Sequence, residues 1–415
     1  RFDKFSPRYQ DVYLVRPVKA EPAFEKDVQP VQAQLYEIGQ ARVTPHRLPP
    51  APPAAGEGLG QSQHKDPLFR FFTSVCVLPP AGHLGSRLNI HCGRGTFGKE
   101  GSTLPAFEKN WYYVSSPDAL ADLRAHAGEI TAIIPFWFGI TAQGGLVDQA
   151  DPEALEAART YNLPILAIIH NYASPQYGPL IHQVLTTAGA RHALVENILA
   201  MLERYGFAGV NIDFEFVPPE DRPYLTAFME ELGARLRPAG YLTTISVPAE
   251  LEDNPRHPFS GAFSYPDLAA PSDQVYVLAY DEHFATPGPI ASIGFVRQVL
   301  GYALSVIPVS KVKLGMPVYG YDWPETGGIP RTLSYNQAVA LAERTGAAIR
   351  YDPTAQEATF QYVENSIRHI VWFEEARSFA AKLSLARSLS LPGIGVWRLG
   401  LEDPAVWDVL AGVDP

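Results

Sequence analysis

Cysteine is nearly missing from this 415-residue chain: only Cys76 and Cys92 occur, both in the N-terminal quarter. Such poverty in thiols suits an exported bacterial enzyme as well as a cytosolic one, and whether the two pair is left open. Neither a CxxC pair nor a HExxH helix is present, which leaves a zinc site with little support, and no metal or other cofactor is expected. No apolar stretch reaches the roughly 18 residues needed to cross a bilayer, because Pro, Gly or charge interrupts every hydrophobic run. There is no basic run and no Lys/Arg-striped helix, and the formal charge is -11, which argues against nucleic acid and anionic membranes as partners. A neutral or cationic polymer fits better. Solenoid repeats and a targeting tail are also missing. The chain starts at Arg1 rather than Met, as expected where a leader has been removed, so location has to come from chemistry.

What is there is enough apolar surface for a large core. With 46% hydrophobic residues over this length, one large barrel plus an accessory segment is the expected scale, and disorder as the main state is excluded. Residues 1–106 read as an N-terminal extension: short scattered apolar runs, then a Pro-rich strap or linker from Pro45 to Pro53 running into Ala54-Ala55-Gly56-Glu57-Gly58. From about Trp111 a different rhythm holds to the end. Short β-branched or aromatic runs alternate with stretches of helical spacing, which predicts parallel strands with crossover helices. The runs fall at residues 111–114, 130–138, 163–171, 209–216, 242–248, 274–280, 312–319 and 393–399. Eight strands make an α/β fold of the (β/α)8 TIM-barrel type, here assigned to residues 107–415. Helices are predicted at 117–127, 152–160, 190–205, 222–236, 294–306 and 374–390, each with apolar residues recurring at three and four. The stretch between strands seven and eight is too long for one helix. Short strands at 347–351, 359–362 and 369–372 predict a small β-rich insertion over about 325–372, at the end of the barrel where an active site opens.

The sharpest feature is Gly209-Val210-Asn211-Ile212-Asp213-Phe214-Glu215. Positions two apart face the same way in a strand, so Asn211, Asp213 and Glu215 are expected to line the barrel while Val210, Ile212 and Phe214 pack outward. Two carboxylates in such a place repel one another and are partly desolvated, which raises the proton affinity of at least one. That prepares a carboxylic acid at neutral pH, as a glycosidic leaving group requires. The plainer reading is a strand whose acidic residues end at a solvated mouth or pair with an interior Arg.

Ala208-Gly209-Val210-Asn211-Ile212-Asp213-Phe214-Glu215 resembles the DGxDxDxE signature of glycoside hydrolase family 18, with Ala208 and Asn211 replacing its first two acidic positions. Further segments match in order: Ala279-Tyr280-Asp281 is similar to the family's MxYD motif, Leu314-Gly315-Met316-Pro317-Val318-Tyr319-Gly320 to its seventh strand and Val396-Trp397 to its eighth. Tyr280-Asp281-Glu282-His283, Tyr319-Gly320-Tyr321-Asp322-Trp323, Val371-Trp372-Phe373-Glu374 and Trp397-Arg398-Leu399-Gly400 resemble the spore and cell-wall branch of bacterial N-acetylglucosaminidases acting on peptidoglycan. LysM repeats are not visible, so the first hundred or so residues depart from that plan.

The resemblance implies a substrate-assisted mechanism, one of the exceptions to the two-carboxylate scheme. It makes Glu215 the proton donor and later base, Asp213 the group that orients the substrate's acetamide, and Tyr280 the hydroxyl that holds the acetamido oxygen for attack. Trp397 is expected as the floor beneath the distorted sugar, the alternative being a core tryptophan. Asp281, Asn211 and Tyr319 follow as substrate-binding candidates, Asp281 for a sugar hydroxyl and Asn211 as a neutral partner that fixes Asp213. Asn171 stands where many family members carry a small-residue Ser-Gly motif and joins the substrate-binding set, as does Phe136, although Phe136, Trp137 and Phe138 are expected to divide between barrel packing and sugar stacking. His170 and His283 are read as packing or hydrogen-bonded histidines. The implied partner is an N-acetylglucosamine-containing polysaccharide, peptidoglycan or chitin-like, met as a secreted or cell-wall/spore-associated bacterial protein. A chitinase or a glycan endo-N-acetylglucosaminidase would use the same residues. A lectin-like binding protein would have lost the acid, and Glu215 is present.

Overall fold

The computed structural model describes residues 107–172 and 177–412; the N-terminal extension, with its Pro-rich stretch and both cysteines, lies outside them. The main sheet starts with β1 (Glu108–Tyr113), β2 (Ala132–Pro135), its continuation β3 (Phe138–Ile140) and the antiparallel return β4 (Leu146–Asp148). Parallel strands β5 (Leu166–His170), β6 (Gly209–Asp213), β7 (Leu242–Pro248), β8 (Gln274–Leu278) and β9 (Val312–Pro317) follow, each paired with the one before. A second, five-stranded antiparallel sheet then holds β10 (Tyr319–Pro324), β11 (Arg331–Ser334), β12 (Arg350–Asp352), β13 (Glu357–Glu364) and β14 (Ile367–Phe373). Finally β15 (Gly393–Trp397) slots between β9 and β1, with Gly393 opposite both Lys313 and Glu108. The bridge between Ile133 and Ile165 joins β2 to the start of β5, so the ring closes. All eight expected barrel strands are present, and the fold is the (β/α)8 barrel.

Helices α1 (Pro117–Ala125), α2 (Pro152–Thr160), α3 (Tyr177–Thr186), α4 (Ala188–Tyr205), α5 (Arg222–Leu236), α6 (Tyr265–Ala269), α7 (Ile293–Val306), α8 (Tyr335–Thr345), α9 (Ala376–Ser388) and α10 (Val406–Ala411) complete the described chain. Their starts are written locally. Ser116 caps α1 by accepting from the Ala119 N–H at 3.1 Å and is followed by Pro117; Asp151 does the same for α2 ahead of Pro152. Such a cap is worth about 1 kcal/mol. Four helices escape the periodicity, the short α6 and α10 among them. The opening Tyr177-Gly178-Pro179 of α3 reads as a loop, although Ile181, Val184 and Leu185 give it a buried face, and α8 lies inside the stretch whose composition suggests only strands.

Alternation decides which side chains enter the barrel. Val210 and Ile212 of β6 point outward and are sealed by Leu225, Phe228, Met229 and Leu232 of α5, each such burial contributing roughly 1.5–3 kcal/mol. Inside, Tyr112, Ile134, Phe136, Leu166, Ile168 and Tyr276 form a separate cluster. Gly395 makes that cluster possible, because a Cβ there would lie 2.5 Å from the Tyr276 ring. At the amino-terminal end the interior is polar: Lys313 meets Glu108 at 2.9 Å, and Asn110 donates to the Tyr276 hydroxyl at 2.7 Å.

Two strand boundaries differ from the sequence reading in a way that matters. The seventh strand, expected to run through 319, stops at Pro317; Val318 donates to the Trp397 carbonyl, and Tyr319 already belongs to the second sheet. The fourth, expected to reach 216, ends at Asp213, and Phe216 adopts a left-handed φ of 53°. Glu215 is therefore held by something other than the ladder.

Candidate active site

At the carboxyl end of β6 Asp213 is 6% exposed. Its nearest polar partner is Ser246 of β7, which lies 2.8 Å from Asn211 Oδ1 and 2.9 Å from the Tyr112 hydroxyl. Asn211 in turn donates to Thr244 Oγ1 at 3.0 Å. Asn211 is fully buried, and its Oδ1 accepts from Ser246 beneath Asp213. Burial pushes the Asp213 carboxyl up to about 7 against the Ser246 hydrogen bond.

Glu215 sits one step beyond the strand, held by the end of β5. Asn171 donates from Nδ2 to the Glu215 carbonyl at 2.7 Å and accepts from its N–H at 2.9 Å. This double clamp replaces the ladder, and Asn171 has no exposed surface. Tyr172 donates its hydroxyl to Glu215 Oε2 in a short hydrogen bond. Burial raises the proton affinity of Glu215 first, the charge of Asp213 next; Tyr172 opposes them and Asp281 adds to them, leaving the group at about 8. Among the described residues no Lys or Arg forms an ion pair or hydrogen bond with either carboxylate, so the plainer reading of an acid paired with an interior Arg does not hold.

Facing them, Asp281 follows β8 with a left-handed φ of 55°, and its Oδ1 accepts from the Tyr319 hydroxyl at 2.5 Å and from Tyr321 at 2.8 Å. Asp281 is exposed, whereas Tyr319 is 4% exposed and stands behind it as a support. Half-buried Tyr280 meets the Tyr319 ring edge-on at 6.3 Å. Trp397 is half-buried too, its ring centroid 5.3 Å from Tyr112 and 6.2 Å from Phe136. Phe136 stacks on His170 at 4.0 Å, is 7% exposed and packs against the tryptophan. Trp137 and Phe138 point to the outer helices. His170 is kept neutral by burial, which lowers it to about 3, and its Nδ1 accepts from the Tyr172 N–H. His283 Nδ1 contacts the Pro289 carbonyl at 3.0 Å.

The structure thus gathers Glu215, Asp213, Tyr280, Asp281, Tyr319 and Trp397 at one mouth. Sequence reading missed Tyr172, Ser246, Tyr112 and Tyr321. The alternation Thr244, Ser246 on β7 marks an inward polar row, but Tyr172 meets Glu215 across 43 positions of chain and leaves no local trace. Among the described residues no cluster of three or more His, Cys, Asp or Glu is arranged to hold a metal, and no helix is long and apolar enough to cross a membrane.

A closed (β/α)8 barrel with two buried carboxyls at its carboxyl mouth has the parts a glycoside hydrolase needs. Residues 111–402 match the model of glycosyl hydrolases family 18, and the chain belongs to that family. It is similar to the glycosylase YdhD of Bacillus subtilis, named as sporulation-specific, with 34% identity covering 72% of this chain and 73% of that one. The cortical fragment-lytic enzyme of Bacillus anthracis is 32% identical over 68% of this chain and 67% of its own. Among solved structures, the chitinase of Chromobacterium violaceum superposes with a TM-score of 0.69 at 31% identity, covering 74% of this chain and 98% of that one. The spore cortex-lytic enzyme SleL of Bacillus cereus gives 0.69 at 30% identity, covering 74% and 73%.

Proposed function

We propose that this glycoside hydrolase cleaves β-1,4 bonds after N-acetylglucosamine in peptidoglycan or its fragments, with retention and with the substrate's own acetamide as nucleophile. The observation that carries the reading is a Glu215 carboxyl clamped at the mouth beside a second buried carboxyl, with no cation on either among the described residues; burial and Asp213 raise its proton affinity. Glu215 gives its proton to the glycosidic oxygen; the acetamido oxygen attacks the anomeric carbon, and the aglycone leaves. Water then opens the oxazolinium ion as Glu215 takes back a proton. Asp213 orients the acetamide and balances the charge on its nitrogen, and Tyr280 positions the acetamido oxygen. Trp397 supplies the apolar floor and Asp281 a hydroxyl contact. Residues 1–106 are an accessory extension to the 107–415 catalytic domain, and the second sheet, with its strands between 319 and 373, walls the cleft. The enzyme works outside the cell membrane, in association with the wall or spore.

Peptidoglycan is favoured over chitin because two relatives are named for sporulation or the spore cortex; the chitinase neighbour keeps chitin as the second reading. Digestion of purified cell wall, chitin oligomers and a high-mannose glycoprotein in parallel, with products read by mass, tests this. Release from the wall with N-acetylglucosamine at the new reducing end is expected. Release from chitin alone removes the peptidoglycan assignment, and turnover of substrates lacking the N-acetyl group removes the mechanism.

A further inference from the structure

The third barrel strand ends in His170-Asn171-Tyr172, where the family resemblance leads one to expect small residues, and two consecutive side chains there are spent on one target. Asn171 holds the backbone of Glu215 from both sides, at 2.7 and 2.9 Å. Tyr172 holds its carboxyl group at Oε2. The tyrosine is itself fixed: its N–H donates to His170 Nδ1 at 3.2 Å, and its ring rests 4.4 Å from Tyr177 and 6.0 Å from Phe136.

Resting on the reading of Glu215 as the acid, we propose that Tyr172 is a positioning residue for both halves of the reaction: its phenol occupies Oε2, reserves Oε1 for the transferable proton, and steadies the carboxylate left once that proton has gone. The chemistry is economical. A phenol that donates to Oε2 disfavours protonation of that oxygen, so the proton resides on Oε1, the oxygen left for the glycosidic bond. After leaving-group departure Glu215 is an anion between Asp213 and Asp281, and a charge-assisted hydrogen bond is stronger than a neutral one. Tyr172 therefore acts most when the carboxylate waits for water. Among the described residues the groups facing Glu215 are Asp213 from β6, Asp281 from beyond β8, Tyr177 from α3 and Tyr172 from the end of β5, with Tyr112 behind Asp213. Of these, Tyr172 alone donates to the carboxylate in a hydrogen bond, opposing burial and two like charges.

Tyr172→Phe removes the donor and keeps the ring contacts. Expected on a chitin oligomer or a wall fragment, whichever the native protein cleaves, are a fall in kcat with little change in KM and an alkaline limb of kcat/KM that moves up by about one pH unit, the scale of one hydrogen bond to a charged group. Asn171→Ser, which loosens only the backbone clamp, should lower kcat and leave that limb in place. A carbon-13 NMR titration of the labelled Glu215 carboxyl reads the same shift without turnover. If the Glu215 midpoint in Tyr172→Phe equals that of the native protein, or moves down, the inference is overturned, whatever the activity. If the native protein cleaves no glycan, the reading of Glu215 as acid falls instead.

Discussion

Glu357 and Glu374, where the second sheet meets α9, are buried as deeply as Asp213 at the barrel mouth, yet they have a neighbour that Asp213 and Glu215 lack. Lys382 of α9, 1% exposed, reaches Glu374 at 2.8 Å and Glu357 at 3.4 Å. Glu357 also accepts from the backbone N–H groups of Ile290 and Ala291 at 2.8 and 2.7 Å, and Ser378 donates to Glu374. Burial works against the ammonium, but the two carboxylates outweigh it and its proton is held more tightly than usual. This cluster ties β13, α9 and the loop beyond Asp281 together. At the mouth, burial raises both carboxyls and the charge of Asp213 raises Glu215 further, and among the described residues no cation relieves them; the hydrogen bonds from Ser246 and Tyr172 only moderate the effect. Glu374 is pushed up to about 8 as Glu215 is, so the lysine does not remove the raised proton affinity. The two places differ in that Glu374 is sealed in with its cation as a fastener, whereas Glu215 is half-buried at the mouth.

Substitutions that separate activity from stability break or sharpen this contrast. The largest effect is expected from Glu215→Gln, which should lower kcat by roughly 10²–10⁴-fold, the contribution of a positioned general acid. Its Tm should equal or exceed the native value, because a neutral amide cannot ionise beside Asp213 and Asp281; a large loss of Tm would place Glu215 among the fasteners. Lys382→Met should do the opposite. Removing one member of a buried ionic cluster costs about 3–5 kcal/mol, so denaturant unfolding should shift by that amount while turnover per folded molecule stays near native. Equal loss from both measurements would show that the cluster reaches into the chemistry. Asp213→Asn should cost roughly 2–4 kcal/mol of transition-state stabilisation, the range for one preorganised electrostatic group; an unchanged kcat removes it from the mechanism.

The smallest effect lies in pH. Glu215 has a folded-state value near 8 against an ordinary 4.5, so the folded state binds its proton more tightly than the unfolded chain does. Its contribution to stability is fully present below pH 4.5 and is lost as pH rises toward about 8. The slope of unfolding free energy against pH over that window should flatten in Glu215→Gln, and kcat/KM of the native enzyme should fall above the upper value as the acid loses its proton. A slope identical in both proteins would mean that Glu215 titrates as an ordinary surface carboxylate.

Much of this was legible because period-two and period-3.6 patterns are local. The alternation Val210, Asn211, Ile212, Asp213 assigned inward and outward faces without any knowledge of the neighbours, and Ser-Pro and Asp-Pro pairs marked helix starts at Pro117 and Pro152. Glu215 was found by extending the alternation two residues past the true end of the strand. Phe136 and Asn171 could not be divided between packing and sugar contact from sequence, because an aromatic or an amide at a strand end looks the same whether it meets a sugar or another side chain.

The sequence by itself determined the strand and helix periods, the family and the identity of the two carboxylates, since each is written in residues close together along the chain. Only the tertiary structure decided that Asn171 and Tyr172 seize Glu215 from more than forty positions away, that Phe136 packs against Trp397, and that a lysine reaches one acidic cluster and not the other. Such pairings follow from closing a ring of strands, which brings β5 and β6 side by side, and proton affinity depends on that enclosure rather than on residue type.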